Sequence, residues 1–429
     1  MAGQASIHPL VSHAVISSLM ETTKKDSSVS SPSYARNAIV LGLLSAVGPF
    51  AIDMYLPALP SIATDLNATT AATQMTLMAF FMAFGVCQLI YGPLSDVIGR
   101  KPPLYAGLSL FIVGSIGCAL APTVEWLIAA RVVQGIGAAA GMVIPRAIIR
   151  DLHTGNEATR LMSLVMLVFS VSPILAPVTG SALIVPFGWR AVFVAVMIAA
   201  VLAVALIGVF LPETRLHHQR LEANVRSVLR GFSHLLTDPR FLGLTFIGGF
   251  GMASFFAFLA SSSFIYIGHY GLTPTQYSFG FSINAFGFIG ASQFAATLGR
   301  KFGLSRVVMT AAAIYTFFAL LLLGVTLAGV DSLAVLIALL FLSFAFLGLV
   351  IPTTMVLTLE EHGPIAGIAS SLAGTLQMVA GGAVIALASL FFDGHPLPMV
   401  TIIAICACCA LCLSLATLRR DVLAPQPAE

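Results

Sequence analysis

The sequence predicts an all-α polytopic membrane protein with twelve transmembrane helices arranged as two six-helix bundles. Three observations predict it. Of 429 residues, 58% are hydrophobic and only 9% are charged, whereas a soluble domain carries about 25% charged residues. Apolar stretches of membrane-crossing length recur twelve times along the chain. Basic residues collect on alternate connections between those stretches.

A soluble protein of this length could not hide so much apolar surface in one core. With lipid as solvent, the same composition confines charge to loops and a few functional sites. The net charge of +3 is small and argues against a nucleic-acid partner. The six cysteines, Cys87, Cys118, Cys406, Cys408, Cys409 and Cys412, all lie in apolar stretches and are expected as free thiols. No His or acid stands beside the Cys406 to Cys412 cluster, so it reads as small hydrophobes in a helix rather than as a metal site. No metal or cofactor is expected. Residues 1–35 are polar and Ser-rich, with Lys24 and Lys25, and lack the apolar core of a cleaved signal peptide. They read as a disordered cytoplasmic tail, within which Met20 is an alternative start.

A bilayer core of about 30 Å takes roughly 20 apolar residues in a helix. Six such spans run near 37–59, 74–95, 104–121, 124–147, 162–184 and 190–211. An Arg-rich linker at 213–240 precedes six more, near 241–267, 276–298, 307–329, 332–357, 365–391 and 397–418. The expected division is an N-terminal bundle at 36–212, a cytoplasmic linker, a C-terminal bundle at 241–418, and a cytoplasmic tail at 419–429. With a cytoplasmic N-terminus, every Lys and Arg except Arg131 and Arg190 falls on the inner side, Arg146 included. The two tryptophans, Trp126 and Trp189, fall at outer interfaces.

The halves also resemble each other. Gly99-Arg100-Lys101 after the second span recurs as Gly299-Arg300-Lys301 after the eighth, and Val143-Ile144-Pro145 recurs as Val350-Ile351-Pro352. Duplicated halves related by an axis along the membrane normal can rock about a central cavity, which gives alternating access.

Few polar groups remain inside the spans. Asp53 is the acid most clearly embedded, and burying an ionised carboxylate in a low dielectric is costly. Such a group can bind and release protons as a cavity opens to either side. Pro57, four residues on, removes the amide that would bond to the Asp53 carbonyl and leaves the helix locally open. Asp53 near the outer interface could instead merely cap a kink. Arg131 is the basic residue well inside a span, with Gln134 one turn away on its face. It could tune protonation of Asp53, or snorkel to outer headgroups.

The fourth span continues with Gly137 and Gly141 at the spacing that allows close helix approach. In the fifth span, Ser172, Ala176 and Gly180 make a small face, and Pro173 and Pro177 each free a carbonyl. The connection 92–104 reads GPLSDVIGRKPPL. Gly92 is expected to permit close backbone approach, Asp96 to accept hydrogen bonds or pair with an Arg, and Gly99, Arg100 and Lys101 to complete an inner gate. The aromatic seventh span could form an apolar pocket through Phe255 and Phe256, although lipid-facing or packing roles account better for most of its aromatics. Tyr55, Asn284 and Gln377 are further candidates, the last two equally able to bond between helices. Gln293 could line the pocket or bond between helices. No nucleotide-binding loop, zinc-binding His-Glu pattern or nucleophile elbow is present in the sequence, so the protein is not expected to be an enzyme.

These motifs resemble those of the major facilitator superfamily. Segment 92–104 is similar to its signature loop, with Val97 where a basic residue often follows the Asp. Segment 131–138, RVVQGIGA, resembles the fourth-helix motif of proton-coupled members, in which the Arg is implicated in proton transfer. The fifth span resembles the antiporter motif of drug exporters, with Ser172 and Ala176 where Gly is common. Asp53 to Pro60, DMYLPALP, together with Ser172-Pro-x-x-Ala-Pro and the run ASSLAG at 369–374, is similar to the Bcr/CflA branch. The resemblance covers nearly all of 36–418. It implies drug:proton antiport by a monomer of the bacterial inner membrane, with bicyclomycin, sulfonamides or phenicols as substrates. Rival expectations are a dedicated exporter of one metabolite, such as an amino acid or siderophore, and a membrane sensor that transports nothing.

Overall fold

The computed structural model describes residues 32–153, 155–215 and 225–423. Most of the expected N-terminal tail, with Lys24 and Lys25, lies outside the described residues, as do 216–224 of the linker and 424–429. The described residues are helical nearly throughout and contain no strand. Among the described residues, eleven helices are long and apolar enough to cross a bilayer.

The first span is α1 (Pro32–Asp53), a tight turn at Leu56–Ala58, and α2 (Leu59–Asp65). It begins inside the segment expected as tail and breaks where Pro57 deprives the Asp53 carbonyl of a donor. Then follow α3 (Thr70–Ile98), α4 (Lys101–Ala119), α5 (Val124–Leu152), α6 (Gly155–Phe187) and α7 (Arg190–Phe210). Thr69 and Thr123 cap α3 and α5 by accepting from Ala72 N and Trp126 N.

The linker contains α8 (Val225–Thr237), whose Phe232 and Leu235 pack onto Ala369 and Leu372. The second half then comprises α9 (Pro239–Ser263), extended by a π-helical turn at Phe264–His269, α10 (Pro274–Ser292) with α11 (Ala295–Phe302), α12 (Leu304–Leu327), α13 (Leu333–Glu360), α14 (Ala366–Phe391) and α15 (Pro396–Leu423). The eighth span, α10 with α11, falls outside the eleven. Its Gln276, Ser278, Ser282 and Asn284 dilute its apolar character, and it kinks before Ala295.

The halves meet along two seams, α3 against α14 and α6 against α10. We call the end holding residues 92–104 the inner end, after the charge-based expectation. The opposite end is closed. The Leu56–Ala58 turn touches α9 and α10, and α2 touches the Phe264–His269 turn. Gln74 Nε2 donates to the Ala260 carbonyl at 3.1 Å, Ser278 Oγ to the Pro177 carbonyl at 2.7 Å, and Ser282 Oγ to the Ile174 carbonyl at 2.9 Å. Toward the inner end a cleft of about 810 Å³ lies between α5, α6 and α10.

The repeat is only partly superposable. Pro145 and Pro352 both sit inside long helices, α5 and α13. Gly99, however, is the turn itself, with φ 99°, whereas Gly299-Arg300-Lys301 forms the last turn of α11 and the positive φ falls at Gly303. The matching tripeptides therefore occupy different positions, and Arg300 and Lys301 project from the surface. Arg146 lies within α5, near its inner end.

Candidate functional site

Asp53 ends α1 and is 5% exposed. Its polar neighbour is Ser172 of α6, and Tyr277 of α10 stands within electrostatic reach. No basic side chain forms an ion pair with it among the described residues. Gly180 lets α6 approach this break, because a Cβ there would lie 2.2 Å from the Met54 carbonyl oxygen. Tyr277 is fully buried and pairs with Ser262 at 3.1 Å. Ser172 and Tyr277 thus flank the Asp53 break from the two halves, while Ser278 ties α10 to α6 at the Pro177 carbonyl. Sequence reading named Ser172 only for its small size and missed the other two, which no local spacing identifies.

Arg131 is fully buried. Its Nη1 donates to Gln134 Oε1 at 2.6 Å and to the Ala51 carbonyl at 3.2 Å. The guanidinium lies between the rings of Tyr55 and Phe80, 4.8 Å and 4.3 Å from their centroids. Gln134 Nε2 in turn donates to Ser115 Oγ, and Ser115 to the Phe111 carbonyl. Arg131 is therefore joined to the Asp53 helix through its backbone and not through the carboxylate. Snorkelling to headgroups is ruled out by its burial.

At the inner end Arg100 bridges two acids, Asp96 at 2.8 Å and Asp151 at 2.7 Å. Arg215 approaches the same pair at 3.9 Å from each. Glu213 accepts from the backbone N–H groups of Arg100 and Lys101, at 2.8 and 2.9 Å, which caps α4. Lys101 Nζ donates to the Leu211 carbonyl. Burial disfavours the Arg100 charge, yet its hydrogen bonds to Asp151 and the charge of Asp96 hold its pKa above the ordinary value. The expected role of Gly92 is corrected: a Cβ there would meet only Val143, at 3.8 Å, an ordinary contact. Asp151, Glu213 and Arg215 were missed because they lie far along the chain from Arg100.

Two of the proposed pocket residues are packed elsewhere. Tyr55 is fully buried, bonded to Thr76 Oγ1 at 2.7 Å and packed on Phe193. Phe255 sits among Phe258, Phe288 and Phe344. Phe256 stacks on Phe81 across the α3–α14 seam region. Asn284 is buried and donates to Tyr266 OH and to the Gly280 carbonyl. Gln377 reaches the Thr245 carbonyl at 3.5 Å. None of these lines the inner cleft, whereas Gln293 does. Pro173 and Pro177 lie inside a continuous α6. The carbonyls that meet α10 are those of Ile174 and Pro177, not the two that the prolines free.

This architecture agrees with known proteins. Residues 41–386 match the Major Facilitator Superfamily. The chain belongs to this superfamily of membrane transporters. An uncharacterized MFS-type transporter, YdgK of Bacillus subtilis (strain 168), is 37% identical over 353 residues, covering 81% of this chain and 87% of the relative. A bicyclomycin resistance protein homolog of Haemophilus influenzae is 32% identical over 348 residues, covering 80% and 86%. The expected kinship with the bicyclomycin- and multidrug-resistance branch of the superfamily is borne out by such relatives. A solved D-xylose-proton symporter shares the fold with a TM-score of 0.67, at 17% identity, over 89% of this chain and 96% of that one. In this superfamily protein the twelve spans are thus a transport fold, multi-pass in the membrane.

Proposed function

We propose that the protein is a proton-coupled exporter of small hydrophobic or amphiphilic drug-like compounds, acting as a monomer in the bacterial inner membrane with both termini cytoplasmic. The observation that carries this reading is Asp53: an enclosed carboxyl, with no cation pairing it among the described residues, at the break of the first span and beside Ser172 and Tyr277. In the conformation seen here, no cation among the described residues balances an ionised Asp53, so proton uptake and closure of the outer end favour each other. In an antiport cycle Asp53 takes up its proton from the outer side before that end closes, and gives it up to the inner side as substrate binds there, before the outer end reopens to discharge the substrate. Arg131 and Gln134 brace the helix that carries Asp53. The Asp96–Arg100–Asp151 cluster, with Gly99 and Lys101, latches the inner end of the first half while the halves rock. Pro173, Pro177 and Gly180 shape the α6 seam that seals against α10. The relative named for bicyclomycin resistance supports bicyclomycin as a substrate, and sulfonamides and phenicols belong to the same proposed range.

Drug-dependent proton movement in everted vesicles tests this, with wild type compared against Asp53→Asn. Drug addition should dissipate the proton gradient in wild type only. Unchanged proton-driven efflux in the mutant would sink the Asp53 assignment. Equal transport after collapse of the proton gradient and membrane potential would sink antiport.

A further inference from the structure

Arg146 is a second arginine inside the helical bundle, and the proposed antiport does not use it. It lies within α5, its Nε is enclosed with no hydrogen-bond partner among the described residues, and its guanidinium rests 5.6 Å from the Phe169 ring centroid of α6. Among the described residues no carboxylate pairs with it. One turn on, exposed Arg150 lines the inner cleft and likewise has no acid partner among the described residues. The nearby acids Asp96 and Asp151 are taken by Arg100, with Arg215 close to both. Two guanidiniums four residues apart on one helix repel each other, and such an arrangement is relieved by an anion between or beside them.

The adjoining cleft, lined by Ile149 and Arg150 while Arg146 stands one turn behind them, provides the rest of a ligand site. Its volume of about 810 Å³ is in the range for a drug-sized molecule. Met162, Met166, Ile174, Phe286 and Ile289 give it apolar walls, and Arg150 is the one charged residue that lines it. It is bounded by α6 from one half and α10 from the other, so a ligand here touches both moving parts. An arginine serving only the lipid headgroups would extend its tip outward along the helix surface. Arg146 instead has its Nε enclosed against α6.

We propose that Arg146, with Arg150 at the mouth, binds the single anionic group, a carboxylate or its equivalent, of an amphiphilic substrate whose apolar body lies in the cleft. This rests on the export reading above and narrows its substrate class to include monoanions.

Equilibrium binding to the full-length protein in phosphatidylcholine nanodiscs tests it with a matched pair, 1-naphthylacetate and its neutral amide. Wild type should bind the acid more tightly than the amide. Arg146→Gln should weaken acid binding about tenfold, as expected for one charged hydrogen-bonded contact, while amide binding stays within about twofold. Arg146→Lys should keep part of the preference. Equal weakening of both ligands, no weakening of the acid, or no acid binding by wild type would overturn the proposal. So would displacement of the acid by phosphatidylglycerol without net transport of the acid, since the site would then belong to lipid. Proton-coupled export of a neutral phenicol by the same wild-type preparation reads the export function separately. Its presence alongside a failed acid test removes the anion site alone, and its absence removes the export reading.

Discussion

The rings of Phe81 and Phe256 stack with centroids 4.0 Å apart and planes 14° from parallel, one ring from each half of the molecule. Gly381 of α14 backs this stack, for a Cβ there would lie 2.2 Å from Phe256 Cδ2. Gly381→Ala should therefore displace Phe256 and loosen the outer closure. Distances between spin labels on the outer ends of the two halves should broaden toward longer values. An unchanged distribution would show that the stack does not hold that end shut.

A carboxamide at position 53 keeps the shape of the side chain and removes its proton site. Asp53→Asn should still bind drug but lose the pH dependence of binding that wild type shows. Binding by the mutant that retains the wild-type pH profile would place the coupling proton elsewhere.

Gln134 supplies the shortest contact of Arg131, at 2.6 Å, while Arg131 Nε and Nη2 meet no acceptor among the described residues. Gln134→Leu leaves a buried cation with the Ala51 carbonyl as its remaining hydrogen-bond acceptor, which should cost about 1–3 kcal/mol. Thermal unfolding in detergent would report this as a lower midpoint. Arg131→Lys should also destabilise, since an ammonium cannot span the gap between Tyr55 and Phe80 as a planar guanidinium does.

These residues show how far the sequence carries. Span positions follow from apolarity alone, and α10 is the weak case because its polar face bonds to α6 instead of facing lipid. Arg131 and Gln134 were legible together, as three-residue spacing puts them on one helix face. The partners of Asp53 and Arg100 were not, because Tyr277, Asp151 and Glu213 arrive from distant segments by tertiary packing. The Gly-Arg-Lys repeat misled, since a tripeptide match says nothing of where the chain turns, and the turn lies at Gly99 in one half and at Gly303 in the other. An aromatic helix face likewise looks the same whether it lines a cavity or fills a core, and in this conformation Phe255 and Phe256 pack against other rings.

Glu213 is separated by more than a hundred residues from the helix start that it caps, and it also binds the end of α7 to the inner latch. Glu213→Ala should uncap α4 at a cost of about 1 kcal/mol. Hydrogen exchange should quicken at the amides of Arg100 and Lys101 while the amides of α12, in the other half, keep their rates. Equal exchange at the α4 start would mean that water replaces the carboxylate without loss.

At the start of the second half, Asp238 caps α9 by accepting from the N–H groups of Arg240 and Phe241, and its other oxygen meets His362 Nε2 at 2.9 Å. Burial pushes this carboxyl upward, but the His362 contact and the two backbone donors outweigh it and set it below its ordinary value of 3.8. A carboxyl depressed in the folded state adds stability that is complete above its unfolded pKa and vanishes as pH falls through the folded one. Unfolding midpoints measured from about pH 6 to about pH 3 should therefore fall more steeply in wild type than in Asp238→Asn, which has no such proton to gain. His362 is buried against Phe241 and also meets the Thr358 carbonyl, so it should remain in place in the variant and keep α13 joined to α9. Parallel acid profiles for the two proteins would show that the cap and the His362 contact contribute nothing linked to this proton.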